Sequence, residues 1–223
     1  MSRILTPELG RRHVVRGLAA LTASAALPVR PGIAAQALAL TPAQTEGPFY
    51  PRDWSGDIDN DLVLVTGEAA RALGQVTHVM GRVLDASGAP IEGAAIEIWQ
   101  CDANGVYRHP ADTSWFGRSK RDQGFQGRGR TLTASDGGYA FRTIRPVPYP
   151  GRTPHIHFAI QAPGRAALIT QMYVAGEPLN DRDGILAAIR DPAQREAVMV
   201  RIEPAERREA GALAGRFDIV LAA

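Results

Sequence analysis

The sequence predicts an all-β protein: a single antiparallel β-sandwich with few short helices, preceded by a signal peptide. Three observations carry that expectation. Beyond residue 61 the chain alternates apolar and polar residues in short runs and turns every 8–15 residues at clusters of Gly, Asn, Asp and Ser. Only residues 181–190, with Ile185, Leu186 and Ile189, have helical spacing. About 186 residues remain once the leader is set aside, one domain's worth with a sizeable core.

The leader is read at residues 1–37. Arg11-Arg12 precedes an apolar, small-residue run at 17–29, and Ala35-Gln36-Ala37 has the small-x-small pattern of a signal-peptidase site. This predicts twin-arginine export to the periplasm. The apolar run is shorter than the roughly 20 residues a membrane span needs, so no membrane partner is expected after cleavage. Cleavage removes five arginines and one glutamate, which takes the formal net charge from +2 to −2. No basic stripe is left to bind nucleic acid. Cys101 is the one cysteine, so no intrachain disulfide is available.

Residues 38–60 are rich in Pro, Gly and Asp without period and read as an extended N-terminal arm; residues 61–223 read as the sandwich domain. Its first strand is expected at 75–84, with Val76, His78, Met80 and Leu84 on one face, and its second at 94–99. Strands at 130–134 and 139–144 flank Ser135-Asp136-Gly137-Gly138, a strong hairpin signal. Further strands are expected at 155–161, 168–174, 197–202 and 217–221.

The chemistry concentrates at Tyr149-Pro150-Gly151-Arg152-Thr153-Pro154-His155-Ile156-His157. On a strand, the period of two puts both imidazoles on one face, roughly 6–7 Å apart at Cα, close enough to grip one ion. Beyond the leader the other histidines are His78 and His109, too few for a histidine-only zinc site, and the length and lack of alternating helices disfavour a (β/α)8 metallohydrolase. Tyrosines and carboxylates are the remaining donors. Tyr107, just past the Asn104-Gly105 turn, and Tyr149 lie where a sandwich presents functional groups. A phenol with a pKa near 10 becomes a phenolate at neutral pH only beside a strongly charged cation, which points to Fe(III). His109 reads as a structural hydrogen-bonding group, Tyr139 and Tyr173 as core tyrosines and Cys101 as an inert buried thiol.

These residues sit in ordered blocks. Thr45-Glu46-Gly47-Pro48-Phe49-Tyr50-Pro51, Ile96-Glu97-Ile98-Trp99-Gln100, Gly105-Val106-Tyr107-Arg108-His109, Pro154-His155-Ile156-His157-Phe158 and Thr170-Gln171-Met172-Tyr173 follow one another between about Thr41 and Pro178. In these the chain resembles the intradiol ring-cleavage dioxygenases, non-haem ferric enzymes of catechol and protocatechuate breakdown. The resemblance implies Tyr107, Tyr149, His155 and His157 as iron ligands, with Tyr149 and His155 axial and Tyr149 leaving when the diol binds. It implies that Arg152 stabilises negative charge near the iron and that Gln171 hydrogen-bonds around the reacting oxygens. Substrates would be an aromatic diol and dioxygen and the product a muconate-type diacid; some relatives in the family use two different chains, but this chain keeps all four ligands itself, so a homo-oligomer is expected.

One departure touches specificity. Five residues separate Tyr149 from His155, where well-characterised aromatic-acid dioxygenases have a longer loop with an aromatic wall, and Gly151 stands at that wall's place. Two rival readings remain open at this point. Gly-Arg-Val-Leu-Asp at 81–85 also resembles transthyretin-like sandwiches, which would make the chain a catalytically silent binding module. An Fe(II) extradiol enzyme would need a carboxylate beside His155 and His157, and none stands there.

Overall fold

The computed structural model describes residues 37–112 and 120–223. Residues 1–36, which carry most of the predicted leader and its Arg11-Arg12 pair, lie outside them. Among the described residues ten strands pair into two five-stranded sheets with a few short helices, a β-sandwich-like fold. No helix among them is long and apolar enough to cross a membrane.

The first sheet is built on β1 (Val76–Asp85), which pairs with β4 (Gly138–Ile144) on one edge. On its other edge it meets β9 (Leu213–Arg216) and then β10 (Ile219–Leu221), and β8 (Ile202–Pro204) completes the sheet beside β9. Both contacts with β9 and β10 are parallel, so the expectation of a purely antiparallel sandwich is corrected to a mixed one. The edge breaks at Phe217, where the strand bends so that the Phe217 carbonyl crosses over Gly81; a Cβ there would lie 1.8 Å from that oxygen. Only glycine permits this approach. Asp218 Oδ1 accepts the Arg82 N–H at 2.8 Å, and the Tyr139 hydroxyl donates to the Phe217 carbonyl, which keeps the break satisfied.

The second sheet runs β3 (Arg128–Leu132), β2 (Ala95–Trp99), β5 (His155–Gln161), β6 (Leu168–Val174) and β7 (Met199–Val200). β7 is parallel to β6, which requires a crossover of a dozen or more residues. A 3-10 helix (Pro178–Arg182), α1 (Gly184–Ala187) and α2 (Pro192–Ala197) supply it. The one helix expected at 181–190 is thus broken. Asp183 has extended dihedrals and caps α1, and Asp191 does the same for α2, whose first residue is Pro192. The strand expected at 197–202 divides between sheets, β7 joining one and β8 the other.

One further expectation changes. In β1 the buried residues are Thr77, Val79, Gly81 and Val83, so the core face has the opposite parity from the one expected, with only Val76 of the expected set buried. Both parities of β1 are largely apolar, and the cross-strand partners decide: Val79 faces Phe141 in the core, whereas His78 faces Arg142 and bonds Glu209 at 3.0 Å on the outer side. The arm packs against the sheets. It belongs to the same compact unit as the sheets, residues 35–223, and it straps them together through Leu38 N–H to Ala86, Thr41 N–H to Val220 and Gln44 N–H to Ile169.

Candidate metal centre

The inter-sheet core takes Ile156, Phe158 and Ile160 from β5, which turns His155 and His157 to the opposite face. An outer sheet face would ordinarily meet water, yet both imidazoles are buried because the strap and two loops cover them. Strand register sets Arg128, Trp99, His157 and Gln171 in one row across β3, β2, β5 and β6, with Tyr173 beside His155. The Trp99 indole lies parallel to the His157 ring at 4.8 Å. From the strap, Gly47 approaches His157 so closely that a Cβ would sit 3.4 Å from Cε1, and Phe49 stacks on Tyr107 at 4.6 Å.

The two loops deliver the phenols. Asp102 Oδ1 accepts the N–H groups of Asn104 and Val106, and Gly105 takes a φ of +75°, which folds a tight turn that projects Tyr107 inward. Tyr149 opens a second turn, closed by Arg152 N–H to the Tyr149 carbonyl at 2.9 Å, with Gly151 at φ +81°. The structure brings Tyr107, Tyr149, His155, His157, Arg152 and Gln171 into one cluster. His155 Nε2 lies 3.2 Å from His157 Nε2 and 3.5 Å from the Tyr107 hydroxyl, and the Tyr107 and Tyr149 rings are 5.5 Å apart, edge to face.

This donor set fits a metal ion. His155 Nδ1 donates to the Thr153 carbonyl at 2.6 Å, which leaves the Nε2 lone pair aimed at the cluster. Two nitrogens each about 2.1 Å from one ion, subtending roughly 100°, are about 3.2 Å apart, and 3.2 Å is the separation here. Among the described residues no group of three His, Cys, Asp or Glu side chains forms; what converges is two imidazoles and two phenols. Burial pushes the Tyr107 hydroxyl well above the ordinary phenol range, and it raises Tyr149 despite the neighbouring Arg152. Burial, then Arg152, lowers His155 to about 4, and burial with His155 holds His157 well below its ordinary value. Without a cation all four donors are therefore neutral at pH 7. A multivalent cation reverses the preference for the phenols, because it stabilises their anions directly.

Arg152 is the permanent charge. Its Nε donates to Asp183 Oδ2 at 2.8 Å, its Nη2 to Gln171 Oε1 at 2.6 Å and its Nη1 to the Tyr149 hydroxyl at 3.4 Å. Gln171 is held in turn by its Nε2 on the Thr45 carbonyl and by the Tyr173 hydroxyl, 3.1 Å from its Oε1. Tyr173, expected as a core residue, thus also borders the cluster. His109 accepts from Ala111 N–H at Nδ1 and stays a structural group, and burial pushes the Cys101 thiol up to about 12. Gly151 is exposed, nothing stands within 4 Å of where its Cβ would be, and it borders a cavity of about 190 Å3 walled by Tyr149, Arg152, Leu179 and Arg182.

The sequence reading missed Asp183 and Gln44. Asp183 announces itself only as a helix cap before Gly184, Ile185 and Leu186, and nothing local shows that its second oxygen reaches Arg152, 31 residues back. Gln44, which bonds the Gln171 N–H and the Tyr173 hydroxyl, lies in a segment without period.

Comparison with known proteins identifies the family. The family profile described as dioxygenase matches residues 45–223. The chain is 36% identical over 182 residues to the protocatechuate 3,4-dioxygenase beta chain of Burkholderia cepacia, covering 78% of this chain and 76% of that one. It is 34% identical to hydroxyquinol 1,2-dioxygenase of Nocardioides simplex, covering 82% of this chain and 64% of the relative. Among solved structures, the dioxygenase domain of a dioxygenase carbohydrate-binding protein fusion from Streptomyces sp. SirexAA-E superposes with a TM-score of 0.62 at 34% identity, over 82% of this chain and 99% of that one. An intradiol ring-cleavage dioxygenase from Tetranychus urticae gives 0.63 at 25% identity, over 82% and 95%. The chain belongs to the intradiol ring-cleavage dioxygenase family.

Proposed function

We propose that the chain is a non-haem Fe(III) enzyme that cleaves a catechol-type diol between its two hydroxylated carbons, using dioxygen, to give a muconate-type diacid. The observation that carries this reading is the convergence of two imidazole Nε2 atoms and two phenols against an arginine anchored by a buried carboxylate. Tyr107, Tyr149, His155 and His157 would hold the iron. When bound, the ion would supply a centre that the deprotonated diol chelates and that makes its ring reactive toward oxygen.

The remaining work falls to the chain. Phe49 and Gly47 of the strap close the face above Tyr107 and His157 and exclude water. The Thr153 carbonyl fixes the His155 tautomer. Tyr149 is the more exposed phenol, and its oxygen, held as a phenolate beside the cation, would accept one of the two diol protons and so become the neutral hydroxyl. The Arg152 Nη groups face the same space and stabilise negative charge as it develops on the reacting oxygens. Both oxygen atoms end in the product, as the broken ring bond is replaced by two carboxyl groups.

The relatives support the substrate class: their names record hydroxyquinol, catechol and chlorocatechol, all ring-hydroxylated aromatics. The open space beside Gly151 supports acceptance of substituted catechols. We also read the protein as a homo-oligomer exported by the twin-arginine route. Arg11→Lys with Arg12→Lys should hold the precursor in the cytoplasm, and normal periplasmic accumulation would refute the route. The reaction is tested by oxygen uptake and product identification with iron-loaded protein across a panel of catechols. A muconate-type product is expected; iron-loaded protein that cleaves none of them would favour the silent binding module.

A further inference from the structure

We propose that Asp183 is a positioning residue for this site: one carboxylate oxygen caps α1, while the other fixes both the Arg152 guanidinium and the peptide that orients His155. The inference rests on the reading of the site given above. Asp183 lies outside the ligand cluster, its side chain is fully buried, and its two oxygens divide the labour. Oδ1 accepts the N–H groups of Ile185 and Leu186, both at 3.0 Å. Oδ2 accepts Arg152 Nε at 2.8 Å and Thr153 N–H at 3.0 Å. Four N–H donors occupy the carboxylate, so it serves as an anchor and has no free face for substrate.

Two paths lead from Oδ2 to the reacting centre. The first is the guanidinium, a rigid planar fork whose orientation is fixed once its Nε edge is held. With that edge on Asp183, Nη2 is directed to Gln171 and Nη1 to Tyr149. The second is the Thr153 peptide: its N–H is held by Asp183 and its carbonyl receives His155 Nδ1 at 2.6 Å. The Thr153 hydroxyl donates to Asn180, whose amide donates to the Val174 carbonyl, so the same peptide is braced from the side. Without the anchor, Arg152 has somewhere to go, because the cavity of about 190 Å3 bordered by Leu179 and Arg182 opens beside it.

The test uses Asp183→Ser, which keeps a capping oxygen for α1 but cannot reach Arg152, and Asp183→Asn, which keeps the shape but turns an amide NH2 toward one pair of donors. We expect cooperative unfolding, retained iron, and kcat lowered roughly 10- to 100-fold with the diol KM changed less than about 3-fold. In an Arg152→Ala background, adding Asp183→Ser should cost clearly less than it does in wild type, the remaining loss being the share carried by the Thr153 peptide. In the metal-free protein, dicarbonyl labelling of Arg152, mapped by peptide mass spectrometry, should rise several-fold in either Asp183 variant. Unchanged labelling, unchanged kcat, or equal losses in both backgrounds would overturn the proposal. If Asp183→Ser does not fold, Asp183→Asn decides by the same readouts. Wild-type protein that binds iron and cleaves no diol would strike the proposed reaction, while labelling of the metal-free protein would still decide the role of Asp183.

Discussion

Replacing Gln44 with leucine keeps the side-chain volume roughly constant and removes three hydrogen bonds from the underside of the strap. Gln44 Oε1 accepts the Gln171 N–H at 2.9 Å and faces the Thr170 hydroxyl at 3.4 Å, and Nε2 donates to the Tyr173 hydroxyl at 2.8 Å. Thr170 and Gln171 are fully buried, so the Gln171 N–H is left without a partner and without water. An orphaned buried amide costs about 1–3 kcal/mol and each of the two further lost bonds about 1 kcal/mol, which gives about 3–5 kcal/mol in all. For a domain of this size the thermal midpoint should fall by roughly 6–20 °C. Turnover should fall as well, because the Tyr173 hydroxyl that donates to Gln171 Oε1 loses the Gln44 amide that fixes it. The assay is thermal unfolding with amide hydrogen exchange at Gln171 and steady-state kinetics. A midpoint within about 1 °C of wild type, with unchanged Gln171 protection, would refute the claim that the strap is latched through this residue.

Two other outcomes follow from the same geometry. His155 is neutral when folded, lowered to about 4, whereas an unfolded histidine protonates near 6.5. The unfolded chain then binds more protons between those values, so metal-free protein should lose stability as pH falls from 6.5 toward 4, by roughly 3 kcal/mol across that window. Chemical denaturation over the same pH range checks it; because His157 is likewise held well below its ordinary value, His155→Gln should reduce the slope and leave the part that His157 carries, and a flat wild-type curve would contradict buried neutral imidazoles. Gly151→Trp should cost about 1–2 kcal/mol in stability from its positive φ and should lower kcat/KM for bulky catechols about 10-fold more than for catechol. Equal losses across a catechol panel would remove Gly151 from the pocket wall.

Much of this arrangement was legible in the chain because it is local. The His155-Ile156-His157 alternation fixes a shared face by strand geometry alone, and the Asn104-Gly105 and Pro150-Gly151 turns mark where Tyr107 and Tyr149 leave the sheets. The strands at 155–161 and 168–174 fall where expected. What escaped depends on distant partners. Both parities of β1 are largely apolar, so only Phe141 opposite Val79 settles which face is inside. The close crossing of the Phe217 carbonyl over β1, between β9 and β10, depends on a missing Cβ at Gly81. Asp183 reads as a cap in sequence, and its link to Arg152 exists only after the crossover has folded back on β5 and β6.

The most direct measurement is the visible spectrum and iron content of the purified protein, after anaerobic loading with ferrous iron and re-oxidation if it is isolated empty. The account predicts about one iron per chain and a broad tyrosinate-to-iron charge-transfer band that is lost or strongly weakened in Tyr107→Phe and in His157→Ala. Protein that stays colourless after loading, or variants that keep full iron, colour and turnover, would contradict the assignment of the two phenols and two imidazoles as the metal centre.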